Sequence, residues 1–239
     1  MEKKIERKKF AVIGLGRFGL KLVEEFNRMG LEVIAIDNDS SAVEKVRNLA
    51  SESLILDATN KEALEKSGVK EVDCVIVSAG KDMETSILVT TILREIGVKE
   101  IVARAENSLH AKILKRIGAN RVVFPEEDMA LRLAHTIHFP GVQEYIDLRG
   151  PWDLAEFKVL RESKLIGKKI GELREKLKGE VDILMLEKEK GKIFNHTIGE
   201  EREERESIVP RDGYLIEADD ILILFAKPEN LEKFIEKNS

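Results

Sequence analysis

The sequence predicts an α/β fold, with a doubly wound, mainly parallel sheet followed by a smaller α+β domain. Short apolar runs alternate with segments of helical periodicity over roughly the first half of the chain, a pattern typical of buried parallel strands joined by helices. A glycine-rich turn at residues 14–19 lies between the first strand and the first helix. After Pro125 this rhythm changes, and strand pairs with few helices predominate.

Six strands and five helices are expected before Pro125. The strands are predicted at residues 9–15, 32–37, 53–58, 73–79, 100–105 and 121–125. The helices are predicted at residues 17–30, 39–50, 60–68, 83–97 and 108–118. Because crossovers between parallel strands are right-handed, this order favours a Rossmann-like sheet that is covered on both faces.

A second domain is expected from residue 150, where Gly150-Pro151-Trp152 marks a boundary, so that the domains span residues 1–149 and 150–239. The first includes a helix at 126–139 and a strand or connector at 143–150. The second is predicted to contain a strand at 154–160, a helix at 166–177, a strand, turn and strand within 181–194, a strand at 220–226 and a helix at 230–238. The charged run at 199–207 is expected to form a solvated loop or a hairpin extension.

Composition limits the possible classes of protein. Hydrophobic residues make up 43% of the 239 residues, which is enough for packed cores. The net charge of −5 provides no basic field, so no nucleic-acid partner is expected. Cys74 is the single cysteine, which excludes an intrachain disulfide and favours a cytoplasmic location. No run of about 18 apolar residues is present, so no membrane span is expected.

The glycine turn is the first element of a predicted nucleotide site. Gly14 would permit the tight turn, Gly16 would let phosphate approach the backbone, and Gly19 would let helix and strand pack closely. The helix N-terminus would supply free N–H groups and the positive end of its dipole. Arg17 and Phe18 lie inside this turn and are included in the site.

An acidic residue supports the same site, because Asp37 ends the second predicted strand about 20 residues after the glycines. Its carboxylate would bind both hydroxyls of an adenosine ribose and would repel a 2′-phosphate, which disfavours NADP. Asn38 follows it directly. Two later strand ends should face the same crevice, unless they form loop structure alone. The first would place Asp57, Ala58 and Thr59 beside adenine, and the second would place Ser78, Ala79, Gly80 and Lys81 beside phosphate or a distal ribose.

Residues for catalysis are not evident. The two tyrosines form no Tyr-x-x-x-Lys pair, and Cys74 lies in an apolar strand where an inert role is expected. His135 and His138 have a spacing that can hold a metal, but a surface or interface role is favoured because no cysteine lies nearby. These observations favour nucleotide binding without catalysis. An NAD-dependent oxidoreductase is the main alternative, and a redox-sensing transcriptional regulator is a third.

Several segments together resemble a known family: KFAVIGLGRFG, EVIAID, LDAT, VIVSAG, GANRVVFPEEDMALRLA and YIDL. They are similar to the cytosolic regulatory subunits of the Ktr and Trk potassium-uptake systems, which combine an N-terminal RCK domain with a smaller C-terminal one. The resemblance begins near residue 8 and is strongest up to residue 149. It implies a regulatory protein rather than an enzyme.

The resemblance also implies partners and ligands. Such subunits form homo-oligomers, typically an octameric gating ring of RCK domains, on the cytosolic face of an integral-membrane potassium translocator. ATP and ADP, or NAD and NADH in Trk relatives, bind the N-terminal domain and shift the ring between conformations. The expected location is therefore cytoplasmic and peripheral to the cell membrane.

The residue roles below are carried over from the resemblance. Gly14, Gly16, Arg17 and Gly19 would hold phosphates, Asp37 the ribose, and Asp57 would lie beside adenine. Arg104 would reach toward phosphates. Glu126 would lie near the nucleotide at the dimer interface, alone or through a metal ion, Mg²⁺ or Ca²⁺. The helix from about residue 128 to 139 would be the exchanged or crossing element of the dimer.

Two further points concern individual residues. Relatives can bind cyclic di-AMP through their C-terminal domains, and the matching stretch here contains Arg174 but has Asp182 where relatives often carry asparagine. An acidic residue would repel a phosphodiester, so Asp182 counts against binding of cyclic di-AMP.

Arg17 is hypothesised to sense the number of phosphates, because only a terminal phosphate would add negative charge beside it.

Overall fold

A computed structural model describes residues 8–79, 82–195 and 200–239 of the chain. Contacts within it divide the chain into two compact units, residues 1–125 and 126–239, which are described separately below. The domain boundary expected at residues 149 and 150 remains a prediction. Within the described ranges, every helix is too short or too polar to cross a membrane.

The first unit contains a six-stranded parallel sheet, as the sequence predicts, and its strand order is β3-β2-β1-β4-β5-β6. Its strands are β1 (Lys9–Ile13), β2 (Glu32–Asp37), β3 (Glu52–Ile55), β4 (Cys74–Val77), β5 (Ile101–Arg104) and β6 (Arg121–Val123). Its helices are α1 (Arg17–Arg28), α2 (Ser40–Val46), α3 (Lys61–Glu65), α4 (Met83–Glu95) and α5 (Ser108–Ile117). The order reverses between β1 and β4, so ligands are expected at the carboxyl ends of these strands.

Both faces of this sheet are buried. Along β1, Ala11 and Ile13 pack into one apolar cluster, whereas Val12 packs into another, because successive side chains point to opposite faces. All four residues of β4 are buried. Four of the five helices begin with a side-chain cap, provided by Asp39, Asn60, Asp82 and Asn107. The helix α1 lacks such a cap, and this difference bears on the site described below.

The second unit contains a five-stranded antiparallel sheet with the order β10-β9-β11-β8-β7. Its strands are β7 (Val142–Asp147), β8 (Asp153–Lys158), β9 (Val181–Asn195), β10 (Glu200–Ile208) and β11 (Ile221–Ala226). Its helices are α6 (Pro125–His138), which starts at the last residue of the first unit, α7 (Ile170–Leu177) and α8 (Pro228–Asn238). Residues of all three helices or their ends pack with the inward residues of the sheet in one apolar cluster.

The prediction of a strand, turn and strand within residues 181–194 is wrong, because β9 continues without a turn. The register of β9 shifts by one residue against β11 and again against β10. Such bulges interrupt the alternation from which a single long strand could be recognised. Residues 200–207 of the charged run lie in strand β10, which pairs with β9, so the hairpin extension is confirmed and the solvated loop is not.

One further element differs from the sequence prediction, and the structure decides one alternative that the sequence left open. The helix expected at 166–177 begins at Ile170, because Lys169 is extended and forms an isolated antiparallel bridge with Leu215. The segment expected as a strand or connector is strand β7, which is paired with β8.

Arg205 anchors β10 to the rest of the sheet. Its guanidinium lies 3.0 Å from the carboxylate of Glu156 and 3.4 Å from that of Glu187, and it donates a hydrogen bond of 3.0 Å to Gln143. The Arg205 side chain is 26% exposed, so these ion pairs are shielded more than ordinary surface pairs. By contrast, Lys190 and Glu206 form a pair whose side chains are 53% and 50% exposed.

Replacing Arg205 should destabilise the second unit, because Arg205→Ala leaves two nearby carboxylates without this cation. We expect a loss of about 1–3 kcal/mol in the free energy of unfolding. The double variant Lys190→Ala/Glu206→Ala should lose less than about 1 kcal/mol, because exposed pairs contribute little. Trp152, the only tryptophan, stacks on Phe225 at 5.2 Å and reports unfolding of this unit by fluorescence in urea. Equal losses in the two variants would contradict the anchoring role of Arg205.

Candidate functional site

Gly14 turns the chain at the end of β1. Its φ of +92° lies in the left-handed region, and a Cβ placed there would approach the backbone nitrogen of Ala79 to 2.9 Å. The Gly14 amide donates a hydrogen bond of 2.9 Å to the carbonyl of Ile36 on β2. Glycine is therefore required at this position both by the backbone conformation and by the close approach of the residue after β4.

Gly19 and Gly16 serve different purposes. A Cβ on Gly19 would overlap the carbonyl oxygen of Gly14, so α1 packs directly against the turn. A Cβ on Gly16 would meet no atom within 4 Å, which leaves open space at the start of α1. Gly16 is the N-cap residue and provides no side-chain hydrogen bond, and the first turn of α1 contains no acidic residue. The N-terminal amides of α1 are thus available to an anion.

Arg17 and Phe18 begin α1 beside this opening. Arg17 is exposed and Phe18 is half-buried. A flexible guanidinium at the helix N-terminus adds a full positive charge to the partial charge of the helix dipole. This end of α1 therefore presents the chemistry that binds phosphate.

Asp37 lies beside the turn at the end of β2. Its Oδ2 accepts a hydrogen bond of 2.5 Å from the amide of Leu15, and its Oδ1 accepts one of 2.9 Å from the amide of Asp39. A carboxylate offers about four lone-pair positions, so each oxygen can accept one further hydrogen bond. The ribose diol that the sequence predicts could therefore bind Asp37 without breaking either contact. The bond to Leu15 was not predicted from the sequence.

The next strand end carries Asp57, Ala58 and Thr59. The register places Asp37 opposite Ile55, so this segment follows at the same edge of the sheet as the glycine turn. Asp57 accepts hydrogen bonds from the Thr59 hydroxyl at 2.7 Å and the Thr59 amide at 2.9 Å, and these bonds lower the pKa of its carboxyl. Ala58 is buried, whereas Asp57 is exposed.

Residues after β4 also lie at the carboxyl edge of the sheet, beside the glycine turn. The Ser78 amide donates a hydrogen bond of 2.7 Å to the carbonyl of Ile13, which holds Ser78 and Ala79 against the glycine turn. Among the residues that the structure describes, the buried Ser78 hydroxyl has no hydrogen-bond partner. Gly80 and Lys81, which the sequence analysis includes in the site, lie outside the described residues. Asn38 is exposed directly after Asp37.

Arg104 and Glu126 are the two predicted site residues that lie outside the segments at the ends of β1, β2, β3 and β4. Arg104 is half-buried at the carboxyl end of β5, the second strand from β1 in the sheet. Glu126 lies in the first turn of α6 and belongs to the second unit, so its role beside the nucleotide stays a prediction. In the described part of the chain, no group of three or more histidine, cysteine, aspartate or glutamate side chains could hold a metal ion.

Cys74, Tyr145 and His135 carry side chains that often take part in catalysis, and here each is buried or contacts other side chains. Burial raises the pKa of the Cys74 thiol to about 11, so the thiol is protonated near pH 7. The Tyr145 hydroxyl donates a hydrogen bond of 2.5 Å to buried Asp153, and burial together with this bond raises its pKa. His135 stacks on the Tyr145 ring at 3.7 Å between centroids.

His110 joins α5 to α4 in a buried polar pair. Its Nε2 lies 2.7 Å from the Ser86 hydroxyl oxygen, and its Nδ1 accepts a hydrogen bond of 3.3 Å from the Glu106 amide. Because Nδ1 is an acceptor, the proton of the neutral ring resides on Nε2 and is donated to Ser86. Burial lowers the pKa of His110. The ring therefore has a structural role and is neutral near pH 7.

Arg174, part of the stretch compared with cyclic di-AMP sites, is also engaged. It donates hydrogen bonds to Asp212 at 2.7 Å and to the carbonyls of Pro210 and Ile183 at 3.3 Å. These contacts tie α7 to the segment before β11 and explain the arginine structurally.

The fold and the site together define a two-domain chain, with a parallel nucleotide-binding-type sheet followed by an antiparallel domain. Residues 10–125 match the family model of the TrkA-N domain, and residues 154–238 match that of the TrkA-C domain. The chain belongs to the family that combines these domains and includes the Ktr system potassium uptake proteins.

Similarity to curated members of this family extends over the whole chain. The chain is 34% identical to the Ktr system potassium uptake protein C of Bacillus subtilis (strain 168), covering 95% of this chain and 96% of that protein. It is 32% identical to the Ktr system potassium uptake protein A of the same organism, covering 97% of each. The family expected from the sequence motifs is thereby confirmed.

Solved structures of low sequence identity share the fold. The crystal structure of the GsuK RCK domain superposes with a TM-score of 0.63 at 14% identity, covering 99% of this chain and 49% of that chain. The GsuK channel bound to NAD gives a TM-score of 0.61 at 14% identity, covering 96% and 39%. This chain therefore spans half or less of the length of these two chains. At this level of sequence identity, the comparison shows a shared fold.

The two glycines at the start of α1 should respond differently to an added methyl group. Gly19→Ala should lower the free energy of unfolding by about 2 kcal/mol or more, because the helix and the turn must separate. Gly16→Ala should change it by less than about 1 kcal/mol, because its φ of −66° suits alanine and the space is open. Urea unfolding followed by circular dichroism measures both, and similar losses would contradict the packing described for Gly19.

His110 should make stability depend on pH. The pKa of His110 in the native protein lies below the ordinary value of a histidine, so the unfolded chain takes up a proton first as the pH falls. The free energy of unfolding should therefore decrease between pH 7.5 and pH 5.5, and His110→Gln should remove part of this decrease. The other histidines are present in both proteins, so the difference isolates His110. An unchanged pH dependence in the variant would show that the buried ring does not contribute.

Proposed function

We propose that this chain is a nucleotide-binding subunit of a gating ring that regulates potassium uptake through a membrane translocator. The observation that carries the proposal is the uncapped N-terminus of α1 beside Asp37, which offers an anion site next to a ribose-binding carboxylate. The names of its full-length relatives, the Ktr system potassium uptake proteins, supply the physiological process.

In this proposal, the ligand is an adenosine nucleotide at the carboxyl edge of the first sheet. Its phosphates lie on the α1 amides and the glycine turn, next to Arg17 and Phe18. Asp37 and Asn38 bind the ribose. The remaining contacts come from the later strand ends and the start of α6: Asp57, Ala58 and Thr59 beside adenine, Ala79 and Gly80 beside phosphate or a distal ribose, Arg104 toward phosphate, and Glu126 alone or through Mg²⁺ or Ca²⁺.

Two pairs of nucleotides are candidate ligands: ATP and ADP, or NAD and NADH. The position and charge of Arg17 are the basis on which we choose between them. This exposed cation at the helix N-terminus suits a chain of phosphates, and only a terminal phosphate adds charge beside it. We therefore favour ATP and ADP. NAD and NADH remain the alternative, which the name of one structure of the same fold, the GsuK channel bound to NAD, supports.

Regulation would follow from differential affinity. A nucleotide shifts a conformational equilibrium only by the difference between its affinities for the two states. An affinity ratio of about tenfold corresponds to about 1.4 kcal/mol for each site, and coupled sites in one ring add their contributions. Several subunits with modest selectivity could thus switch a ring.

The partners are part of the same proposal. We expect homo-oligomers, with RCK dimers building an octameric ring, docked on the cytosolic face of an integral-membrane Ktr or Trk potassium translocator. The location would be cytoplasmic and peripheral to the cell membrane. The net charge of −5 argues against a nucleic-acid partner.

The protein is not proposed to be an enzyme, and an NAD-dependent oxidoreductase is the alternative to be tested. A hydride-transfer site requires a proton donor or acceptor beside the cofactor. His110, Cys74 and Tyr145 are buried and engaged in structural roles, which supports regulation over catalysis. Sustained turnover of a nicotinamide cofactor with a substrate panel would favour the alternative.

Replacing Asp37 tests the ribose assignment. Asp37→Asn should weaken ADP and ATP binding by about 10-fold to 100-fold in calorimetry, because it removes charged hydrogen bonds to the diol. Asp39→Asn is the matched control two residues away, since asparagine can also cap α2. Nucleotide binding unchanged in Asp37→Asn would remove the ribose assignment, and equal weakening in the control would indicate a nonspecific effect.

Replacing Arg17 tests whether the site senses the number of phosphates. Arg17→Ala should weaken ATP more than ADP, by about fivefold to tenfold, because the terminal phosphate loses a cation. Lys21→Ala, one turn further along α1 and paired with Glu24 at 2.6 Å, should weaken neither nucleotide appreciably. An equal loss of ATP and ADP affinity in Arg17→Ala would contradict the sensor role while leaving phosphate binding intact.

A further inference from the structure

A cavity lies in the second unit, between α7 and α8, and none of the residues that line it is assigned to nucleotide binding. Its volume is about 180 Å³. The floor is apolar: Leu173, Val181 and Phe234 are each 5% exposed or less, and Leu177 is half-buried. An engineered apolar cavity of about 150 Å³ binds benzene, so this space can receive one ring or a short hydrocarbon segment.

The rim of this cavity is basic. Four lysines line it, Lys168, Lys176, Lys233 and Lys237, against a single carboxylate, that of Glu180. Within the described ranges, none of these four ammonium groups forms an ion pair. A local excess of positive charge is unexpected on a protein whose net charge is −5.

The ends of the helices explain only part of this charge. Lys176 and Lys237 lie in the last turns of α7 and α8, where cations stabilise the carbonyl ends of helices. Lys168 precedes α7, and Lys233 lies in the middle of α8, so neither has this reason to be basic. Lys233 and Lys237 are four residues apart and therefore project from the same face of α8.

Acidic and basic side chains of α8 line different cavities. Glu232 and Glu236 line a different cavity together with His135 and His138 of α6. Asn230, Lys233 and Lys237 line the cavity against α7, where the Asn230 amide donates a hydrogen bond of 3.3 Å to the carbonyl of Glu180. The basic face of α8 is thus directed toward an apolar floor rather than toward the acidic groups of the same helix.

We propose that this cavity binds a small anionic amphiphile, with an apolar group on the floor and a phosphate or carboxylate held by the lysines. Charge complementarity selects an anion, and the volume limits the buried part to about one ring or a short chain. Two sources have this chemistry: a soluble aryl or acyl phosphate, and an anionic phospholipid. The site is independent of the nucleotide site in the first unit.

Phenyl phosphate is the first probe, because it joins one ring to one phosphate. Calorimetry with the full chain, saturated with ADP to occupy the nucleotide site, should show one phenyl phosphate bound per chain. Phenol and inorganic phosphate should each bind at least about tenfold more weakly, because each lacks half of the recognised chemistry. Equal affinity for phenyl phosphate and inorganic phosphate, or no binding of phenyl phosphate, would overturn the proposal.

The lysines are tested by substitution. Lys233→Gln/Lys237→Gln should weaken phenyl phosphate at least about tenfold, whereas Lys164→Gln/Lys227→Gln, two exposed lysines outside the cavity, should not. An unchanged Trp152 unfolding curve would establish that both variants fold. If the first pair of substitutions leaves the affinity unaltered, the cavity is not the binding site.

Vesicle sedimentation distinguishes the two sources. Binding to phosphatidylglycerol vesicles but not to phosphatidylcholine vesicles, lost in Lys233→Gln/Lys237→Gln, would assign the lipid source. Absence of vesicle binding with phenyl phosphate binding retained would assign the soluble source. Vesicle binding that persists in this variant would place the lipid contact elsewhere and count against a lipid in the cavity. Failure of nucleotide binding would not affect either result, because the two sites share no residue.

Discussion

Direct packing of α1 against the turn after β1 is the constraint on which the first unit depends. Because Gly19 has no side chain, the helix lies against the carbonyl of Gly14, and its N-terminal amides face the carboxyl edge of the sheet. The turn is held from both sides, by the Gly14 amide on Ile36 and by the Leu15 amide on Asp37. One steric requirement therefore sets both the helix–sheet packing and the position of the anion site.

The two units use polar groups in opposite ways. In the first, a parallel sheet is buried on both faces, and the polar groups gather at one edge, where a ligand can reach them. In the second, an antiparallel sheet carries charged residues along strands β9 and β10, and Arg205 ties the outermost strand β10 to Glu187 on β9 and to Glu156 on β8. The Asp37 carboxylate in the first unit thus lies at an edge where a ligand can bind it. The carboxylates of Glu156 and Glu187 in the second unit are paired with Arg205 and stabilise the sheet.

Patterns local in sequence were sufficient to predict the six strands of the parallel sheet, the glycine turn and the position of Asp37, because each depends on periodicity or on residues next to each other. Contacts between distant residues could not be predicted in this way. The hydrogen bond from Leu15 to Asp37 and the continuity of β9 through two register shifts both depend on pairing that periodicity does not encode. The late start of α7 likewise reflects a bridge from Lys169 to Leu215.

Hydrogen–deuterium exchange with and without saturating ADP most directly tests the central claim, that an adenosine nucleotide binds at the carboxyl edge of the first sheet. The account predicts slower exchange in peptides covering residues 14–20 and 37–39, where the α1 amides and the Asp37 turn contact the ligand. Peptides from the β9–β10 hairpin should exchange at an unchanged rate. Slower exchange confined to the second unit, or none at residues 14–20 despite bound ADP, would contradict the account.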